Sequence, residues 1–183
     1  MQNTTVARSR FGALVAGRAH RTPPAKTWER RTGFIACAWM TVFAGFHAYW
    51  ALGGTLGLPP GQSLVDNKPL FIIDLIAIPM NLVGAIGALA LVQNWGLAFP
   101  RWFVLGGGWA CAVLMICHSA PSMVDLAVFL IGQRDKPLTG NERFSVLLYE
   151  PYWMLGGILF TFLARGFQRR TRRSYAAAHA EAV

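Results

Sequence analysis

The chain has 183 residues, is 54% apolar and only 14% charged, and owes a formal net charge of +9 to 17 Lys and Arg against 8 Asp and Glu. Soluble domains of this length carry about a quarter charged residues. Low charge, high apolar content and three Cys exclude the collagen-like, disordered and disulfide-rich secreted classes, and a mean hydropathy of +0.39 leaves an all-α polytopic membrane protein.

Residues 1–32 hold Arg8, Arg10, Arg18, Arg21, Lys26, Arg30 and Arg31 and are nearly free of acid. A pI near 10.3 invites a nucleic-acid reading. The basic clusters flank apolar runs instead, the pattern of juxtamembrane segments drawn to anionic lipid. No nucleic-acid partner is expected, and 1–32 reads as a largely disordered cytoplasmic tail.

Four runs reach the spanning length of about 20 residues: 33–52, 70–92, 102–120 and 144–164. Between the third and fourth, 123–131 is apolar but too short to span. Ser122, with Asp125 three residues on, predicts a separate capped helix lying at the interface. The fold expected over 33–168 is thus a four-helix transmembrane bundle with a short interfacial helix between spans 3 and 4, followed by a basic, Ala-rich tail over 169–183. With four spans, both termini and the 93–101 loop share one side, which carries most of the Lys and Arg. That bias predicts a cell-membrane protein with both termini cytoplasmic. Cys37, Cys111 and Cys117 lie inside apolar runs and read as small buried residues.

An ionisable group inside a span costs roughly 2.5–3.5 kcal/mol on insertion scales, so each needs a reason. His47, Asp74, His118 and Glu150 fall at one depth, in the outer half, when the spans are laid antiparallel. Thr139 with Glu142 forms a capping-box pattern that starts the last helix near residue 140, placing Glu150 inside it and making Pro151 an internal kink. Helical spacing puts Asp74, Asn81, Gly84 and Ala88 on one face of the second span. It puts Gly107, Cys111 and His118 on one face of the third, and Glu150, Trp153, Gly157 and Thr161 on one face of the fourth. Trp50, Tyr152 and Trp153 lie at the same level, either as an interfacial aromatic belt or as a π-lined pocket. A His47–Glu150 hydrogen bond between the first and last spans is the structural alternative to a reactive site. An echo links HAYWALGG, beginning at His47, with EPYWMLGG, beginning at Glu150.

FHAYWALGG closing the first span, and LTGNERFSVLLYEPYWMLGG opening the last, resemble a bacterial family of small four-span membrane proteins catalogued as domain of unknown function 3995. The resemblance covers about 33–168 and implies the four-span architecture alone. A looser similarity, in logic and not in residues, is to small integral-membrane terpene cyclases.

Three functions follow. The first is an acid–base enzyme acting on a lipophilic isoprenoid, with Glu150 as proton donor and His47 or Asp74 orienting it or taking the final proton. Trp50, Tyr152, Trp153, Asn81 and His118 would line the substrate site. Burial favours the neutral form of a carboxyl group, which suits protonation of an alkene among aromatic rings. The second is a proton- or cation-coupled transporter, for which a homodimer is expected; the third is a non-catalytic membrane protein. No metal-site or cofactor motif is present, so neither metal nor cofactor is expected.

Overall fold

A computed structural model describes residues 22–133 and 136–180. The expectations for 1–21 and 181–183 as tails, and for Arg134, lie outside the described residues. Among those described, four helices are long and apolar enough to cross a membrane, and no strand occurs. The elements are α1 (Thr27–Ala51), α2 (Lys68–Ala90), a 3₁₀ turn (Asn94–Ala98), α3 (Arg101–Leu130), α4 (Gly140–Phe144), a π turn (Ser145–Tyr149) and α5 (Glu150–Ala180).

α1 starts six residues before the apolar run because Glu29 reaches back over the first turn. Its carboxylate accepts the Lys26 backbone N–H at 2.7 Å, the acidic half of a capping box. At the other end Gly53 takes φ 90°, and Gly53 N–H and Gly54 N–H donate to the Trp50 and Tyr49 carbonyls at 2.9 Å each. That left-handed residue closes the helix in a Schellman lock open to glycine at little cost. α2 is capped by Asn67, whose side chain accepts from Leu70 N–H at 3.3 Å.

The separate interfacial helix expected over 123–131 is not formed; those residues are the last turns of α3, which runs through Pro121. Pro121 removes one backbone donor but leaves the rest of the ladder intact. In lipid, continuing the helix is the cheapest way to pair the remaining backbone groups. α3 stops only at Gly132, φ 70°, where Gly132 N–H and Gln133 N–H close the same lock on Phe129 and Val128 at 3.1 Å each. Its 30 residues rise about 45 Å, well over the ~30 Å of a hydrocarbon core.

The capping box at Thr139 forms: its backbone N–H donates to the Glu142 carboxylate at 2.8 Å, and its hydroxyl accepts the Glu142 N–H at 3.4 Å. The helix then widens into the π turn, where Glu150 N–H reaches back to the Ser145 carbonyl. Pro151, which cannot donate to the carbonyl four residues back, sits at the end of that turn, and the wider winding absorbs the missing bond. Glu150 is therefore inside a continuous helical rod.

The helices form two antiparallel hairpins, α1 with α2 and α3 with α5, joined mainly along α1 and α5 and more sparingly where α2 meets α3. Glycines set the close approaches. A Cβ on Gly33 would lie 2.5 Å from Val92, one on Gly84 2.6 Å from Met40, and one on Gly157 2.6 Å from Ile116. Ala36, Met40, Ala88, Leu91, Ala112, Phe160 and Leu163 fill the core. The perimeter presents Ile72, Ile73, Ile76, Val83 and Ile86 on α2 and Phe103, Val113 and Leu114 on α3, an apolar surface that suits lipid and not water.

Candidate functional site

Two ends of the bundle carry polar side chains. At the distal end, away from the termini, the four titratable residues singled out in the sequence form two pairs, each inside its own hairpin. His47 Nδ1 lies 2.5 Å from Asp74 Oδ1, with the side chains 13% and 3% exposed. His118 Nε2 lies 3.5 Å from Glu150 Oε1, with exposures of 55% and 12%. The His47–Glu150 hydrogen bond, the structural alternative, does not form: His47 pairs with Asp74 of α2, and Glu150 lies beside His118 of α3.

The two pairs differ in kind. When Asp74 is ionised its carboxylate only accepts; in that state Nδ1 of His47 donates to it and the other ring nitrogen, Nε2, is left to accept. Among the described residues nothing pairs with His47 Nε2, Asp74 Oδ2, Glu150 Oε2 or Trp39 Nε1, all of them buried. A buried polar atom without a partner costs about 1–3 kcal/mol, and such atoms concentrate where a protein does chemistry. The His118–Glu150 contact is too long for a strong hydrogen bond and lies on the flank of the bundle.

Aromatic rings connect the pairs. His118 packs on Trp153 (centroids 4.9 Å), Trp153 meets Phe43 edge-on (5.9 Å), and Phe43 meets the His47 ring edge-on (4.7 Å). Tyr152 stacks on Trp39 at 3.9 Å, and its hydroxyl donates to the Trp39 carbonyl at 2.5 Å. Trp50 packs edge-to-face on His47 at 5.3 Å and donates through its ring N–H to the Leu56 carbonyl at 2.9 Å. Asn81 is buried, but its amide donates to Ala77 of its own helix at 2.8 Å. Asn81 therefore stabilises α2 and touches neither pair by any hydrogen bond described.

The faces read from spacing hold on α2, where Asp74, Asn81, Gly84 and Ala88 are all buried. On α3 the expected stripe is one residue out of phase. Val104, Gly108, Ala112, Met115 and Ser119 are buried, while Gly107 and His118 face outward. Gly108 fits against Leu91 and Ala164, and that contact fixes the rotation.

Helical spacing had put Phe43 on the His47 face of the first span, as found; sequence reasoning missed Trp39 as part of the aromatic wall, and it missed the opposite end of the bundle altogether. There Arg170 Nε lies 3.8 Å from Glu29 Oε2, and Arg170 Nη2 donates to the Leu91 carbonyl at the end of α2 at 2.6 Å. Arg101, at the start of α3, donates to Thr171 at 2.8 Å. All four long helices are tied together there. The available signal was Glu29, the lone acid of a basic segment.

A family model described as Protein of unknown function (DUF3995) matches residues 40–160, a stretch that includes both pairs and the Phe43 and Trp153 rings between them. No curated protein and no solved structure matches the chain.

Proposed function

The chain belongs to the family Protein of unknown function (DUF3995), and from that premise we propose that it is a membrane-embedded acid–base enzyme acting on a lipophilic small molecule. One observation carries the reading: Asp74 fixes His47 by Nδ1, while Nε2, buried, has no partner among the described residues. That is the arrangement of an oriented general base. The carboxylate sets the tautomer and stabilises the imidazolium that forms when Nε2 takes a proton.

Glu150, across the ring wall, is the complementary acid. Protonation of a carbon–carbon double bond by its carboxyl group would leave a carbocation, for which the neighbouring Trp153 and Phe43 rings would supply cation–π stabilisation. Loss of a different proton to His47 Nε2 returns a neutral product. One proton is gained and one lost, so the product is an isomer of the substrate, and an isoprenoid is the substrate class this chemistry fits. A proton-coupled transporter would need titratable groups along the rest of the bundle. Between this layer and Glu29, the buried side chains among the described residues are apolar, such as Ala36, Met40, Ala88, Phe160 and Leu163, apart from Asn81, whose amide does not titrate.

Membranes containing the wild-type chain, supplied with a panel of isoprenoids, should yield a product of unchanged mass and altered retention. His47→Gln and Glu150→Gln should each lower its rate by about 100-fold or more, the weight of a general acid or base. Absence of any isomeric product from the wild type, or undiminished turnover by both variants, overturns the reading.

A further inference from the structure

We propose that the distal site takes its ligand from the bilayer and not from water. The loop 52–67 is strapped shut over His47 and Asp74 by Trp50 and Tyr149, and the His118–Glu150 flank is the entry. This rests on the reading of His47 as the reactive group. Its test reads access to position 47 without turnover, so the two can fail separately.

The strap is specific. Adjacent carbonyls of the loop are held by side chains from the two different hairpins. Leu56 accepts from the Trp50 ring N–H at 2.9 Å, and Gly57 accepts from the Tyr149 hydroxyl. Gly57 has φ 83°, and a Cβ there would stand 2.8 Å from the Tyr149 oxygen, so the backbone conformation and the close approach both need glycine. The Trp50 ring packs edge-to-face on both Tyr149 (5.6 Å) and His47 (5.3 Å). The same indole thus grips the loop and lies against the reactive ring. Leu52 and Leu56 of the loop are 89% and 68% exposed, which seats the cover in the apolar boundary of a membrane.

The flank is different. His118 is more than half exposed, although α3 continues for twelve residues beyond it to Leu130. It therefore opens sideways and not at the end of the bundle. A polar ring on a lipid-facing flank is costly and marks a pathway. Between it and His47 stand only the packed rings of Trp153 and Phe43, which an entering ligand displaces. The ligand suited to that route is an uncharged, membrane-dissolved lipophile.

The test places one thiol at the site, with His47→Cys in a full-length chain whose Cys37, Cys111 and Cys117 are replaced by Ser, held in lipid vesicles. Two probes are compared, lipid-soluble N-phenylmaleimide and a permanently charged methanethiosulfonate. The maleimide should modify the thiol, and the charged reagent, with each rate referred to that reagent's own rate on a free thiol, should be retarded about tenfold more than the maleimide, the weight of one hydrogen bond holding the strap. Adding Tyr149→Phe should remove that difference by accelerating the charged reagent alone. His118→Cys in the same background should react with the maleimide with or without Tyr149→Phe, which reports an intact bundle. A charged-reagent rate that does not change with Tyr149→Phe overturns the strap. Failure of the maleimide at position 47 while it modifies position 118 overturns the lateral route.

Discussion

At the scale of single residues, the sequence showed which polar groups needed an explanation but not which of them would meet. His47, Asp74, His118 and Glu150 stood out because each lies in an apolar run, and depth alone set them at one level. Depth says nothing of azimuth: whether His47 turns to α2 or to α5 depends on which small residues let which helices approach, and Gly33 and Gly84 settle that in favour of α2. Glu29 and Arg170 were hidden for the opposite reason. Surrounded by other charges, they read as solvated, yet Glu29 is only 5% exposed and backs onto Gly166, where a Cβ would come within 2.5 Å of its carboxylate. Breaking a buried ion pair leaves one charge uncompensated. Glu29→Gln should therefore lower stability by about 3 kcal/mol, read as a fall in the midpoint of thermal unfolding in detergent. The isomerisation assay should meanwhile keep its wild-type rate below that midpoint.

At the scale of elements, apolar run length located every long helix, and capping chemistry placed the start of the last one. It failed where a rule competes with the solvent. Ser122 and Asp125 resemble a helix start, but in lipid a new start would strand backbone donors, so α3 simply continues through Pro121. The echo between the first and last spans also separates on folding. Gly53 and Gly54 end α1 in a left-handed turn, whereas Gly156 and Gly157 lie mid-helix against Met115, Ile116 and the Ala112 carbonyl. The same letters serve as a stop in one helix and as a contact surface in the other. Gly157→Val should cost about 1–3 kcal/mol through overpacking. Gly107→Ala, with nothing within 4 Å of its Cβ position, should be neutral or gain up to about 1 kcal/mol of helix propensity. Parallel melts of the two variants check the assignment of the α3 face, and equal destabilisation by both would contradict it.

At the scale of the whole molecule, the four-span bundle was legible from apolar run length, and its arrangement as two hairpins was not. Hydropathy gives the number of crossings; neighbour order depends on contacts between distant residues such as Leu91 with Arg170. The charge bias of the ends carries the remaining expectation, both termini on the cytoplasmic side. Alkaline phosphatase, active only when exported, should stay silent when fused after residue 183 and become active when fused within the 131–139 loop. The reverse pattern would invert the orientation.

The pairing inside hairpins also bears on how the chain is made. Asp74 emerges 27 residues after the His47 it meets, and Glu150 follows His118 at a similar interval, so each acid finds its base within the same two-helix segment as it leaves the ribosome. Had His47 depended on Glu150, an imidazole would have waited in lipid through the synthesis of two further crossings. As built, the first half of the protein can enter the membrane with its His47–Asp74 pair already formed, before the second half exists.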